Sequence, residues 1–155
     1  MKLNPLRHLA AGALTAAALA ASAPAFAANH ALIMWIGDYG DPKSDLPGID
    51  LDAANARKIA VAMGVPPQNV TEISNAKLTR DGIRTGLVTL YQRIADGDKV
   101  FIYYSGHGGQ VKGHETSARC SEVLVARDGL VLDAFLQDAL TPIGKKASQV
   151  VMMND

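Results

Sequence analysis

The 155 residues carry 15 basic and 15 acidic side chains, a formal net charge of zero with histidines neutral, and one cysteine. That length suits one domain. The charge balance and the lack of any Lys/Arg cluster argue against a nucleic-acid-binding protein, and a single cysteine excludes an internal disulfide.

The first 27 residues read as a leader rather than as part of that domain. Lys2 and Arg7 give a positive start, Leu9 to Ala21 is Ala/Leu-rich and uncharged, and "APAFA" places small residues at Ala25 and Ala27 in an A-x-A cleavage pattern. This is the layout of a secretory signal peptide cut after Ala27, which predicts a periplasmic or secreted protein. The competing reading, a membrane span, needs roughly 20 apolar residues, and the apolar core is shorter. Without Lys2 and Arg7, 13 basic residues face 15 acidic ones, a net charge of −2. Residues 28–155 are then the domain, and nothing in them reads as a span.

The apolar run "HALIMWI" (30–36) predicts a buried strand. Residues 38–52 hold Asp38, Asp41, Asp45, Asp50 and Asp52 with Pro42, Pro47, Gly40 and Gly48, and predict a loop in which Asp38, Asp41 and Asp45 are solvated. Ala53, Ala56, Ile59, Ala60 and Met63 recur at helical steps until Gly64 and Pro66–Pro67 end them. "NVTEIS" (69–74) predicts a short strand. Thr79 can cap a helix whose apolar face is Ile83, Leu87, Leu90, Tyr91 and Ile94. Residues 99–104 predict a buried strand, and "EVLVARDGLVL" a hairpin turning at Asp128–Gly129. Leu132, Phe135, Leu136 and Leu140 suit a short helix ended by Pro142, and "SQVVMM" (148–153) a last buried strand. Alternating strands and helices imply an α/β fold: a mainly parallel sheet with helices on both faces.

The 99–104 strand runs into "SGHGGQ". In open parallel sheets functional groups gather at the carboxyl ends of the strands. His107 lies just past such an end, between glycines that leave amide N–H groups unshielded. An imidazole beside free N–H donors suits acyl transfer; the plain alternative is a structural histidine in a tight turn. A nucleophile is also needed. Ser105 is two residues away on an extended stretch, which puts its side chain on the face of His107, but no G-x-S-x-G turn presents it. Cys120 sits in a predicted loop with nothing around it to fix a geometry.

"YYSGHGGQ" resembles the histidine motif of the caspase-like cysteine peptidases, with the metacaspase branch the nearest match. "LPGIDLDAANARKIAVAMGV" resembles their first helix and its lead-in, "EVLVARDG" the segment after the histidine loop, and "SQVVMMND" the strand that delivers the nucleophile. The resemblance implies a three-layer α/β/α sandwich, incomplete here, and a cysteine endopeptidase with a His–Cys dyad. In this family the cysteine follows the histidine by about 50 residues, near position 157, and metacaspases typically carry D-x-C there. Asp155 would be the Asp of that motif, and the chain would stop short of its nucleophile and be inactive. The resemblance further implies that the Gly108 N–H helps hold the oxyanion, and that Asp52, Ser105 and Asp155 form an acidic pocket for an Arg or Lys of a protein or peptide substrate. The simpler role for Asp50 or Asp52 is to cap the helix near residue 53.

Many metacaspases need calcium. Glu115, Glu122 and Asp128 follow the histidine strand but lack EF-hand spacing, so calcium is possible without support from the sequence. His30 and His114 suggest no zinc site. Two rivals stand beside the peptidase: a serine esterase, since "HGG" also resembles a lipase oxyanion loop, and a non-catalytic caspase-like binding module. A partial sheet should also leave an unpaired edge and poor stability.

Overall fold

In the computed structural model the described residues are 27–112 and 120–155. The leader through residue 26, His114 and Glu115 lie outside them. Four parallel strands form the main sheet: β1 (Asn29–Trp35), β2 (Val70–Ser74), β3 (Lys99–Ser105) and β7 (Gln149–Asn154), in the order β2-β1-β3-β7. Three further strands, β4 (Gly108–Lys112), β5 (Cys120–Ala126) and β6 (Gly129–Leu132), make a separate antiparallel sheet.

Side chains alternate across a strand, and here both faces are covered. Ala31, Ile33, Phe101 and Tyr103 face helix α1 (Ile49–Ala62) and pack with its Ala56 and Ala60. The small alanines let that helix lie close to the sheet. Leu32, Met34, Val100, Ile102 and Tyr104 face the other way, toward Ile83, Leu87 and Leu90 of α2 (Arg80–Arg93) and Ile143 of α3 (Asp133–Lys146). This is a three-layer α/β/α arrangement. It explains why β1 and β3 read as unbroken apolar runs: a strand buried on both faces has no polar side.

Thr79 caps α2, its hydroxyl accepting the Gly82 N–H at 2.9 Å. Three expectations need correction. Helix α1 begins at Ile49, with Gly48 as its N-cap at φ +90°, so neither Asp50 nor Asp52 caps it. Pro142 lies inside α3 rather than ending it: the fully buried Ile143 anchors the following turn in the core, which outweighs a missing backbone donor. Cys120 starts a strand rather than sitting in a loop, and β4 was not foreseen. The β5–β6 hairpin closes on Ala126 paired with Gly129, leaving Arg127 and Asp128 as its turn. Among the described residues β7 pairs only with β3, so it is an open edge, and no helix is long and apolar enough to cross a membrane.

Candidate active site

The tips of β1, β3 and β7 meet at one end of the sheet. The Ile36 N–H donates to the Ser105 carbonyl at 3.0 Å. The Asp155 N–H donates to Tyr104 at 3.0 Å, and the Gly106 N–H to the Asp155 carbonyl at 3.2 Å. Pairing between β3 and β7 thus continues to Gly106 and Asp155, and the two strand tips lie side by side.

Gly106 is required by space. A Cβ there would lie 2.8 Å from Ile36 Cγ2 and from the hydroxyls of Tyr39 and Tyr104. Those hydroxyls hold the histidine loop. The Tyr39 hydroxyl accepts the His107 N–H at 2.8 Å, and its ring lies over the imidazole with centroids 4.9 Å apart. The Tyr104 hydroxyl lies 2.8 Å from the His107 carbonyl and 2.9 Å from that of Val125. Burial pushes the Tyr104 phenol well above its ordinary value, so it stays protonated and remains a donor.

The imidazole Nε2 lies 2.8 Å from the Ser44 carbonyl oxygen. A carbonyl only accepts, so Nε2 carries the hydrogen, and in the neutral ring Nδ1 holds the free lone pair. The loop that supplies Ser44 is built from short acidic turns. Asp45 accepts the Tyr39 N–H at 2.8 Å, Asp38 the Gly40 N–H at 2.8 Å, and Asp41 the Ser44 hydroxyl at 3.1 Å. Asp38 is also paired with Arg127 at 2.8 Å, and the hydrogen bond from that guanidinium holds its carboxyl below the ordinary value. The loop expected from the sequence keeps Asp38 and Asp41 exposed, while its turns organise it beside His107 and Asp38 ties it to the β5–β6 turn.

The His107 carbonyl accepts the Val125 N–H at 2.9 Å. In a trans peptide the next N–H points the opposite way. The Gly108 N–H therefore faces away from β5, free to meet a ligand. Gly108 itself is not sterically compelled, since a Cβ there would meet only the Val123 carbonyl at 3.4 Å.

On the α1 side of the same end lies a cleft of about 200 Å³, lined by Asp52, Asn55, Ile59, Tyr103, Met153 and Asp155. The Tyr103 hydroxyl donates to Asp155 at 3.3 Å, and the buried Ser105 hydroxyl to Asp52 at 3.3 Å. Burial, with the two carboxylates Asp155 and Asp52 nearby, raises the Tyr103 phenol above its usual range. Ser105 does not share a face with the imidazole as its spacing suggested. The turn at Gly106 breaks the strand alternation, so Ser105 goes to Asp52 and His107 to Tyr39.

Cys120 pairs with Lys112 at the far end of the β4–β5 ladder, while Gly108 pairs with Leu124. Four rungs separate them, about 13 Å, which takes Cys120 out of reach of His107. Among the described residues no cluster of His, Cys, Asp and Glu could hold a metal ion. Asp128 accepts the Arg80 backbone N–H at 2.7 Å, and about 13 Å of strand from Glu122 to Ala126 keeps Glu122 from sharing an ion with it. Calcium thus finds no fit in Glu122 and Asp128. His30 pairs with Asp98 at the opposite end of the sheet.

Sequence reasoning missed Tyr39 and Ser44. The only signal was the density of Asp, Ser and Gly in 38–48, which favours side-chain-to-backbone turns over open coil.

The caspase-domain family model matches residues 28–154. Metacaspase-6 of Arabidopsis thaliana is 28% identical over 128 residues, covering 76% of this chain and 34% of its own length. The crystal structure of a protein from Geobacter sulfurreducens superposes with a TM-score of 0.64 at 26% identity, covering 82% of this chain and 48% of that one. The chain thus spans about a third of the curated relative and about half of the solved structure.

Proposed function

This chain belongs to the caspase-domain family of peptidases, and on that premise we propose that it is the histidine-bearing part of a cysteine endopeptidase that cuts after Arg or Lys. The observation that carries the reading is the free Nδ1 of His107 beside the paired tips of β3 and β7. A thiol carried just beyond β7 would start beside the strand tip that leads into His107. Within these 155 residues the one cysteine is the distant Cys120, so the chain by itself is inactive.

On this reading the reaction runs in two steps. The thiolate attacks the peptide carbonyl, and the carbonyl oxygen becomes an oxyanion facing the Gly108 N–H. The C–N bond breaks as Nδ1–H of the imidazolium gives its proton to the leaving amine. A water molecule, deprotonated by the now neutral Nδ1, attacks the thioester and releases the acid and the thiolate. The Ser44 carbonyl holds Nε2 and so leaves Nδ1 as the nitrogen that moves the proton.

The basic side chain before the cut bond would enter the cleft between Asp52 and Asp155. A carboxylate pair suits a guanidinium, which donates in bidentate fashion. Ser105 and Tyr103 each hold one of the two carboxylates. The serine-esterase reading needs a G-x-S-x-G elbow after the histidine loop, and residues 108–155 hold none.

The test is peptidase activity of the full gene product on peptides with Arg, Lys or Asp before the cut bond. Cleavage after Arg and Lys, abolished by His107→Ala, is expected, with no turnover by the 155-residue chain. Turnover by the 155-residue chain that disappears on Cys120→Ala would overturn the assignment.

A further inference from the structure

We infer that Asp98 is a docking site for the chain's own amino terminus, filled when a leader is cut away after Ala27. Asp98 sits at the end of the sheet opposite His107, where β1 and β3 begin, and is 3% exposed. Its Oδ1 accepts the Ala28 N–H at 2.7 Å, and its Oδ2 accepts the Ala95 N–H at 2.8 Å and faces His30 Nε2 at 3.2 Å.

A carboxylate this buried calls for a positive partner. Among the described residues no lysine or arginine pairs with it. His30 does not supply the charge cleanly: its Nδ1 is buried with no hydrogen-bond partner. The site therefore holds a carboxylate that faces an imidazole and has a backbone nitrogen at the shortest contact.

That nitrogen is the atom that cleavage after Ala27 would release. Ala28 is held on both sides, its N–H by Asp98 and its carbonyl by the Lys99 N–H at 3.0 Å, while Ala27 is exposed. The scissile bond thus lies at the border between exposed and anchored chain. Hydrolysis by an export leader peptidase breaks the Ala27–Ala28 C–N bond. Water gives its hydroxyl to the Ala27 carboxyl and a proton to the Ala28 amine, which takes a second proton from solvent. The amide N–H on Asp98 becomes an ammonium on Asp98, and a full positive charge arrives at a prepared position. Burial pushes the Asp98 carboxyl up, but the N–H donors of Ala95 and Ala28, with His30, bring it below its ordinary value, so the carboxylate is ionised when that charge arrives.

The test uses the 155-residue chain produced with export and purified. Mass spectrometry should give Ala28 as the first residue. The α-amine should react with an acylating reagent about tenfold more slowly than an exposed one, the effect of a one-unit rise in its pKa. Asp98→Asn should restore ordinary reactivity. Should that variant fail to fold, a glycine inserted between Ala27 and Ala28 carries the amine past the carboxylate and should restore reactivity equally. A mature end other than Ala28, or a wild-type α-amine as reactive as an exposed one, would overturn the proposal. Neither readout depends on peptidase activity.

Discussion

The Nε2 atom of His107 and the carbonyl oxygen of Ser44 lie 2.8 Å apart, although 63 residues separate them in sequence. That contact decides which ring nitrogen is left for chemistry. Nitrogen-15 spectra of the imidazole should show the Nε2–H tautomer once the ring is neutral, with an unprotonated Nδ1. A dominant Nδ1–H signal would remove the basis for placing a thiol beside that atom.

Tyr39 fixes the same loop through its hydroxyl and its ring. Tyr39→Phe keeps the ring but leaves the His107 N–H without its acceptor. Leaving a partly buried donor unpaired costs roughly 1–3 kcal/mol. The urea midpoint should fall accordingly, and the tautomer balance should shift toward a mixture. An unchanged midpoint with unchanged spectra would mean that the stacked ring alone holds the histidine.

Gly106 and Gly109 look alike in sequence and should behave differently. A methyl group at Gly106 meets three atoms at 2.8 Å, two of them the hydroxyls that anchor the loop. At Gly109 the nearest atom is Val123 Cγ2, at an ordinary 3.7 Å. Gly106→Ala should destabilise by about 1–3 kcal/mol through overpacking. Gly109→Ala should stay within about 0.5 kcal/mol of the parent. Equal effects in denaturant titrations would contradict the crowding seen around Gly106.

The contrast between those glycines shows what the residues alone could reveal. The apolar runs of β1 and β3 and the capped helix α2 were legible because hydrophobic period and a capping threonine are local signals. The start of α1 was hidden because Gly48 caps it without a side chain and Asp50 and Asp52 read as loop. Strand β4 was hidden because "GGQVK" is mostly exposed and forms a strand only by pairing with β5. His107 and Asp52 could be singled out by motif. Ser44 and Tyr39 could not, since their roles arise where a distant loop folds back over the histidine.

Arg57 and Glu72 form a bidentate pair beside Trp35, with N–O distances of 2.8 and 2.6 Å. The hydrogen bond from Arg57 holds the Glu72 carboxyl below its ordinary 4.5. A carboxylate depressed in the folded state stabilises fully above its unfolded pKa, and that stability fades as pH falls through the folded value. Arg57→Gln should therefore cost a modest amount near neutrality, roughly 0.2–1 kcal/mol for a part-exposed pair. Wild type and variant should begin to converge once pH falls below the ordinary value of 4.5. Thermal unfolding across pH 3–7 checks this, and a gap that widens toward acid would show that another interaction is responsible.

Asp52 and Asp155 reach the cleft from different elements, the first turn of α1 and the tip of β7. If the cleft takes a basic side chain, each carboxylate makes a charged hydrogen bond worth roughly 1.5–3 kcal/mol. In the full gene product, Asp52→Asn should lower kcat/KM for Arg peptides by about 10- to 150-fold, and Ser105→Ala by less, because Ser105 only orients Asp52. The loss should appear with Arg and Lys peptides alike and leave the reactivity of the thiol toward a small alkylating agent unchanged. That second readout separates specificity from catalysis: if Asp52→Asn slowed alkylation as well, the carboxylate would be acting on the dyad and the cleft would need another role.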